Sequence, residues 1–337
     1  MIKTDNFQRA FFERLRLRFK SKKAMVEAVS ELLHIGRDGV YRRIRGETVL
    51  AADEMISLAR HYAIKIETRS KEQMPKMYFP DGVKKFTSEL QWFEELLQRT
   101  KMNAALPDVE VDYATPELPL FYQLYTPTLL AYKTYIFGTT AWDLAKWKGA
   151  EFSPDMIDPD VQRIAKELMP VLYSFPAREL WSAGILDVTL REIVHGVEVG
   201  NLPDSHVVNQ MFDEIETVIQ HMEAMTKAGK RFAPNETYTE KSPDFRVYHN
   251  EMTNTNNVIL IHSSLQSIVY TTFVNPNYLF STDERLYTRT QTWFNNLVSS
   301  SNTLNTDAAK YRIAYFKQLR KKVADVKRRI EVINTII

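Results

Sequence analysis

The stretch GRDGVYRRIRGE, from Gly36 to Glu47, places four arginines around two apolar residues. At about 100° per helical residue, Val40 and Ile44 fall on one side of a short helix and are expected to point inward. The remaining surface of the helix carries Arg37 at its leading end, followed by Asp38, Tyr41, Arg42, Arg43 and Arg45. Such a surface is either a solvated helix face or a surface that contacts phosphate.

Three further helical patterns surround this stretch. Apolar residues recur every four positions from Asn6 to Phe19, a second period runs from Ala24 to Leu33, and another helix is expected from Ala51 to Tyr62. Gly36 is expected to end the second helix with a positive φ, and Gly46 to end the third. Short helices with a tight turn before the arginine-rich one are the layout of a helix-turn-helix domain, in which the helix after the turn enters the major groove.

The arginine-rich helix resembles the third helix of the lambda-repressor-like, or XRE-type, helix-turn-helix family, which reads D-x-V/A-Y-R-R-I-R-G-E. The resemblance covers roughly residues 6–67, and it implies a DNA-binding transcriptional regulator. Two positions depart from the family pattern: Val26 replaces the glutamine usual near the start of the second helix, and His34 replaces the small turn residue. The matching residues are Asp38, Val40, Tyr41, Arg42, Arg43, Ile44, Arg45, Gly46 and Glu47.

The expected DNA contacts lie on this helix and at the start of the preceding one. Guanidinium groups suit both bidentate contact with guanine and pairing with phosphate. Lys22 and Lys23 could contact phosphate in place of the missing glutamine. The candidate DNA-binding residues are Lys22, Lys23, Arg37, Asp38, Tyr41, Arg42, Arg43 and Arg45.

Charge is divided unevenly along the chain. The whole sequence carries +2, but residues 1–71 carry +7, residues 72–305 carry −11 and residues 306–337 carry +6. Charge asymmetry reports on association, so it indicates different partners for different segments. On the arginine-rich helix only Asp38 opposes four arginines, whereas solvated faces usually mix both signs. These features favour DNA binding over a merely solvated face.

The composition narrows the class of protein further. The chain has no cysteine, which excludes disulfides and thiol chemistry. No apolar run approaches the length of a membrane span, and the glycines form neither a dinucleotide-binding nor a triphosphate-binding motif. We therefore expect a cytoplasmic protein with no membrane association.

The rest of the chain is expected to be mainly α-helical. The predicted organisation is a helix-turn-helix domain at 1–70, a linker at 71–82, a helical sensing or oligomerisation domain at 83–305 and a basic amphipathic helix at 306–337. Four segments rich in Val, Ile, Tyr, Phe and Thr, at about 245–280, predict a small inserted antiparallel sheet. The aromatic-rich run at 121–147 is typical of core, although it could also line a ligand pocket.

The C-terminal segment has a heptad seam of apolar residues from Phe316 to Ile337. A dimeric coiled coil is the simple interpretation, but the flanking Arg320, Lys322, Lys327 and Arg329 would place like charges side by side. Docking against the acidic middle segment, of the same chain or of a partner subunit, is the better electrostatic match. Specific DNA binding usually needs two half-sites, so we still expect a homodimer.

No complete catalytic constellation is present. Glu192 and His195 have the E-x-x-H spacing of di-metal bundles, which need a second such pair and two further glutamates. The only other E-x-x-H in the sequence, Glu31 to His34, lies in the predicted N-terminal domain. We therefore expect no enzyme, no metal and no cofactor. The sequence predicts a one-component regulator that binds double-stranded DNA, with a small-molecule or protein effector. The alternative is a protein-interaction or scaffold protein whose helix-turn-helix does not read DNA.

Overall fold

The computed structural model describes residues 5–16, 18–62, 64, 75–80, 85–251 and 255–336. The chain divides into two compact units, Met1–Met74 (unit 1) and Pro75–Ile337 (unit 2). Half of the predicted linker at 71–82, residues 71–74 and 81–82, falls outside the described residues. No helix among the described residues has both the length and the apolarity needed to cross a membrane.

Unit 1 is helical throughout its described secondary structure, with α1 (Asp5–Arg16), α2 (Lys22–Leu33), α3 (Arg37–Arg45) and α4 (Ala52–His61). Ser21 caps α2, because its side-chain oxygen accepts a hydrogen bond from the Ala24 amide at 3.1 Å. The apolar stripes of the helices meet in one core. Its fully buried members include Phe11, Leu15, Met25, Val26, Val29, Val40 and Leu58.

The turn between α2 and α3 differs from the expectation at Gly36. Gly36 has an ordinary φ of −64°, and the residue that ends α2 with a left-handed backbone is His34, with φ 52°. His34 donates its amide to the carbonyl oxygens of Ser30 and Glu31, which satisfies the last turn of the helix. His34, which replaces the small turn residue of the XRE-type pattern, therefore occupies a position whose backbone favours glycine.

The expectation of a mainly α fold with a small inserted antiparallel sheet is wrong for unit 2. Its described residues form one mixed sheet of seven strands, in the order β6-β5-β4-β1-β2-β3-β7. The pairs β1–β2 and β2–β3 are parallel, and the remaining pairs are antiparallel. The strands are β1 (Glu110–Thr115), β2 (Ala177–Ser182), β3 (Phe245–Asn250), β4 (Val258–His262), β5 (Ile268–Val274), β6 (Asn277–Ser281) and β7 (Asn302–Thr303).

Helices cover both faces of this sheet. One face, which we call the inner face, packs against the large hydrophobic core built by most of the helices, whereas the other face packs against α10 through Phe294 and Tyr287. The α-helices of unit 2 are α5 (Glu89–Ala104), α6 (Pro127–Thr140), α7 (Pro159–Leu172), α8 (Asp187–Glu198), α9 (Ser205–Ala228), α10 (Glu284–Ser299) and α11 (Ala309–Ile336). Short 3-10 turns lie at Leu120–Gln123, Ala145–Trp147, Pro154–Met156 and Thr306–Ala308.

Charged residues in the central strands explain why the sequence pattern missed this sheet. β1 reads EVDYAT and β2 reads ARELWS, so neither is a plain apolar run. On the face toward α10, Arg178 donates to both carboxylate oxygens of Asp112 at 2.7 and 2.6 Å. On the inner face Glu179 is 1% exposed. Pairing across strands accommodates Asp112 and Arg178, and hydrogen bonds from Tyr122 and Trp181 accommodate Glu179. None of these contacts produces a local period in the sequence.

The C-terminal helix α11 packs within unit 2. Its seam buries Phe316, Leu319, Val323 and Ile330 in the main core. Its basic flanks pair with carboxylates on α8 and α9. The ion pairs join Arg320 to Glu216 and Glu223, Lys322 to Asp187, and Arg329 to Glu198, at 2.6–2.8 Å.

Replacing Gly138 by alanine should destabilise unit 2. A Cβ at Gly138 would lie 1.9–2.0 Å from the ring of the buried Trp147. Overpacking of this kind costs about 1–3 kcal/mol. Tryptophan fluorescence during urea unfolding measures the effect, because all five tryptophans lie in unit 2. Gly39→Ala is the control: its Cβ would meet only ordinary contacts, so it should leave this transition unchanged. An unchanged midpoint for Gly138→Ala would contradict the close approach.

His221 should contribute to the loss of stability in acid. Burial lowers the pKa of His221 to about 4, against about 6.5 in an unfolded chain. Between these values the unfolded state binds a proton that the folded state does not, so unfolding becomes easier as the pH falls. His221→Leu should therefore lose less stability between about pH 7 and about pH 5 than the wild type does. His206→Leu, at an exposed position of the same helix, should behave like the wild type.

Candidate nucleic-acid interface and ligand cavity

Helix α3 presents three arginines on its outer surface. Val40 is fully buried and anchors the helix, whereas Arg37, Arg42 and Arg45 are exposed. The exposed fractions of the Arg37 and Arg45 side chains are 65% and 51%. We call Arg37, Arg42 and Arg45 the basic face. Asp38, at the first turn of α3, is exposed beside it.

A buried glutamine on α1 fixes the end of α3 and the loop that follows it. The side-chain amide of Gln8 donates to the carbonyl oxygens of Arg43 and Thr48, at 2.6 and 2.8 Å. Its side-chain oxygen accepts from the Leu50 amide at 2.8 Å. Gly46 ends the helix with φ 80°, a conformation that glycine adopts without steric cost. The loop from α3 to α4 is thus held by specific hydrogen bonds.

Arg43 is engaged within unit 1, although the sequence placed it among the DNA contacts. Its Nε and Nη2 donate to the two carboxylate oxygens of Glu54 at 3.0 and 2.8 Å, and its Nη1 donates to the Gly39 carbonyl at 3.2 Å. Only 16% of its side chain is exposed. Burial alone would raise the pKa of Glu54, but the hydrogen bonds from Arg43 and Ala51 hold it below its usual value. Arg43 therefore joins α3 to α4.

The basic face makes only local, exposed ion pairs. Arg37 pairs with Glu27 at 3.0 Å, and Arg45 pairs with Glu47 at 2.6 Å. Within the part of the chain that the structure describes, Arg42 forms no ion pair. Exposed pairs contribute little stability, so a phosphate group can replace a carboxylate at these arginines.

The remaining candidate residues lie beside α3. Lys22 and Lys23 are exposed in the first turn of α2, and Tyr41 is half-buried on α3. The Lys22 ammonium lies 5.8 Å from the centre of the Tyr41 ring. The structure therefore brings Lys22 next to the arginine-rich helix, which the sequence spacing alone does not establish.

Unit 2 contains a cavity of about 190 Å³ between the inner face of the sheet and helices α5, α6 and α7. The aromatic-rich run at 121–147 contributes only part of its wall, through Phe121, Leu124, Lys133 and Phe137. Other aromatic residues of the run are core, since Tyr122, Tyr132, Tyr135, Trp142 and Trp147 are all buried. The apolar wall includes Trp92, Leu96, Val111, Leu118, Leu168, Leu172, Phe175, Ala177, Ile259 and Ile261.

A hydrogen-bonded network forms one polar part of the cavity wall. Glu117 Oε1 accepts hydrogen bonds from the side-chain amides of Asn257 and Asn275, at 2.6 and 2.7 Å. The side-chain oxygen of Asn257 accepts from the hydroxyls of Tyr113 and Thr115, at 2.9 and 2.8 Å. These residues lie on β1, in the loop after it, directly before β4 and in the turn between β5 and β6. Because they are far apart in the sequence, no contiguous motif predicts the network.

The buried side chains of Glu179 and Arg231 form a second polar part of the wall. Glu179 Oε2 accepts from the Tyr122 hydroxyl at 3.0 Å and from the Trp181 indole at 2.8 Å. Burial raises the pKa of Glu179 despite these donors and the nearby positive charge of Arg231. Arg231 is 3% exposed, and its Nη1 donates to the Phe175 carbonyl at 3.1 Å.

Glu192 of the E-x-x-H pair has a structural partner. The buried Lys133, also at the cavity wall, donates to both carboxylate oxygens of Glu192 at 2.7 and 2.9 Å. Burial raises the pKa of Glu192 despite this lysine. Among the described residues, no three His, Cys, Asp or Glu side chains lie where they could hold a metal ion together.

The chain matches no protein-family model, no curated protein and no solved structure. The chemistry of the two sites therefore carries the functional conclusion.

Among the arginines of α3, Arg43 should stabilise unit 1, whereas Arg42 should not. Arg43→Ala removes hydrogen bonds to a partly buried carboxylate and should cost about 1–3 kcal/mol. Arg42→Ala changes an exposed side chain and should alter stability by less than about 0.5 kcal/mol. Amide hydrogen exchange of the peptides that cover α3 and α4 measures both. Equal protection in the two variants would contradict the assignment of Arg43.

Proposed function

We propose that this chain is a DNA-binding transcriptional regulator of the one-component type. The observation that carries the proposal is the basic face of α3, which follows α2 after a short turn and has its apolar side anchored in the core by Val40. This is the position of the recognition helix in a helix-turn-helix domain. The resemblance of Asp38 to Glu47 to the XRE-type motif supports the same proposal.

In this proposal the basic face enters the major groove. Arg37 and Arg42 reach base edges, where a guanidinium can bond bidentately to guanine. Arg45, Lys22 and Lys23 neutralise phosphates, and Arg43 keeps α3 in place through Glu54. We assign no DNA contact to Arg43, because its donors are already used within unit 1.

One short helix buries too little surface to give high specificity by itself. The regulator therefore acts as a homodimer on two half-sites, as helix-turn-helix proteins commonly do. Unit 2 supplies the sensing or oligomerisation function. We also propose that the regulator acts in the cytoplasm, as the sequence predicts.

Fluorescence anisotropy with labelled duplex DNA of random sequence tests the proposal. The wild type should bind with an affinity that falls steeply with salt, with a slope of about −0.9 per phosphate contact. Arg42→Ala and Arg45→Ala together should weaken binding at low salt by about tenfold or more, because two charged contacts are lost. The loss should appear without a change in the unfolding of either unit.

Arg60→Ala is the matched control, since it removes an exposed arginine of the same unit from α4. It should leave the affinity close to that of the wild type. If the folded wild type does not bind duplex DNA even at low salt, the proposal fails and the protein-interaction alternative gains support. Equal losses in the Arg60 control and the α3 variant would place DNA contacts elsewhere on unit 1.

A further inference from the structure

The cavity of unit 2 has the size of a small organic ligand. An apolar cavity of about 150 Å³ is enough to hold one benzene molecule. The cavity here has about 190 Å³, which leaves room for a ring and a short substituent.

The walls favour an aromatic body for that ligand. Most of the lining is apolar, and aromatic rings contribute to it from several elements: Trp92 on α5, Phe121 in the loop after β1, Phe137 on α6, Phe175 before β2 and Tyr270 on β5. Aromatic rings gain from edge-to-face and offset-stacked contacts beyond the area that they bury. A flat ring can therefore contact several walls at once.

One charged group of the wall lacks a charged partner. Arg231 forms no ion pair among the described residues, and its Nε has no hydrogen-bond partner there. Its guanidinium instead lies 5.0 Å from the centre of the Phe175 ring and 5.5 Å from that of Tyr173. The carboxyl group of Glu179 is near enough to feel the charge of Arg231, but no described carboxylate lies within ion-pair distance of the guanidinium. A carboxylate is the group that a guanidinium binds best, and it can accept the hydrogen bond that Nε leaves unused.

The carboxylates of the wall have more hydrogen-bond partners than Arg231 has. Glu117 accepts two amide hydrogen bonds, and Glu179 accepts from Tyr122 and Trp181. Lys133 is neutralised by Glu192. The described wall therefore has less need of a cationic ligand than of an anionic one.

We propose that this cavity binds a small aromatic monocarboxylate, with the ring among the apolar walls and the carboxylate at Arg231. The site does not depend on DNA binding, because every residue that carries it lies in unit 2. Binding gives the Arg231 guanidinium a carboxylate at hydrogen-bond distance and excludes solvent from the apolar wall. The proposal gives unit 2 a ligand of defined charge and size.

Isothermal titration calorimetry on the full chain tests the ligand class with three probes of matched size. Phenylacetate should bind, phenylacetamide should bind about tenfold more weakly or worse because it lacks the charge, and 2-phenylethylamine should bind weakest. Equal binding of the acid and the amide would overturn the carboxylate assignment. Tighter binding of the amine would overturn the sign of the charge, and failure of phenylacetate, benzoate and indole-3-acetate to bind would overturn the site.

Two variants locate the binding. Arg231→Gln should reduce the affinity for phenylacetate by about tenfold or more and abolish the preference for acid over amide. Arg246→Gln, on the exposed side of the neighbouring strand β3, is the matched control and should bind as the wild type does. Ala177→Leu fills the cavity from β2 without touching a charge, so it should block all the aromatic probes. Unchanged binding in Ala177→Leu would place the ligand elsewhere, even if Arg231→Gln failed to fold.

Discussion

The parallel pairing of β1 with β2 is the constraint on which unit 2 depends. These strands lie at the centre of the sheet, with β4 added beside β1 and β3 beside β2. Parallel strands need a long crossover connection, and here α6 and α7 provide it on the inner face. The pairing also settles the charges: Asp112 opposes Arg178 on the face toward α10, and Tyr113 opposes Glu179 on the inner face.

The cavity follows from that arrangement. Tyr113 and Glu179 stand side by side on the inner face, and the loop after β1 brings Glu117 to the same space. Polar groups in such a place must be paired, because leaving one unpaired costs about 1–3 kcal/mol. Glu117 and Glu179 each have two donors, whereas Arg231 donates to the Phe175 carbonyl and its Nε has no hydrogen-bond partner among the described residues. The imbalance is thus confined to one residue of the wall.

Local patterns predicted the helices of unit 1 and the four strands β3 to β6 of unit 2, but not β1, β2 and the single mixed sheet. α3 runs from Arg37 to Arg45, as the sequence predicts, because Val40, Ile44 and the closing Gly46 specify it within ten residues. The central strands β1 and β2 were not predicted, because their charged residues depend on partners such as Asp112 and Arg178, which lie 66 residues apart in the chain. The cavity was missed for the same reason: Glu117, Glu179 and Arg231 come from separate segments, and no spacing links them. Even on α3, the partner of Arg43 is eleven residues away, so its commitment to Glu54 was not visible.

The ion pairs of the basic helix α11 limit where a polyanion could bind. Arg320, Lys322 and Arg329 of α11 pair with carboxylates of α8 and α9, so much of the charge flanking its seam is neutralised within unit 2. The arginines of the basic face have only exposed neighbours on their own surface, Glu27 and Glu47. Exposed carboxylates compete weakly with phosphate, because both interactions are screened and the phosphate also releases its counterions. Arg320, Lys322 and Arg329 are therefore less available to a nucleic acid than the arginines of the basic face.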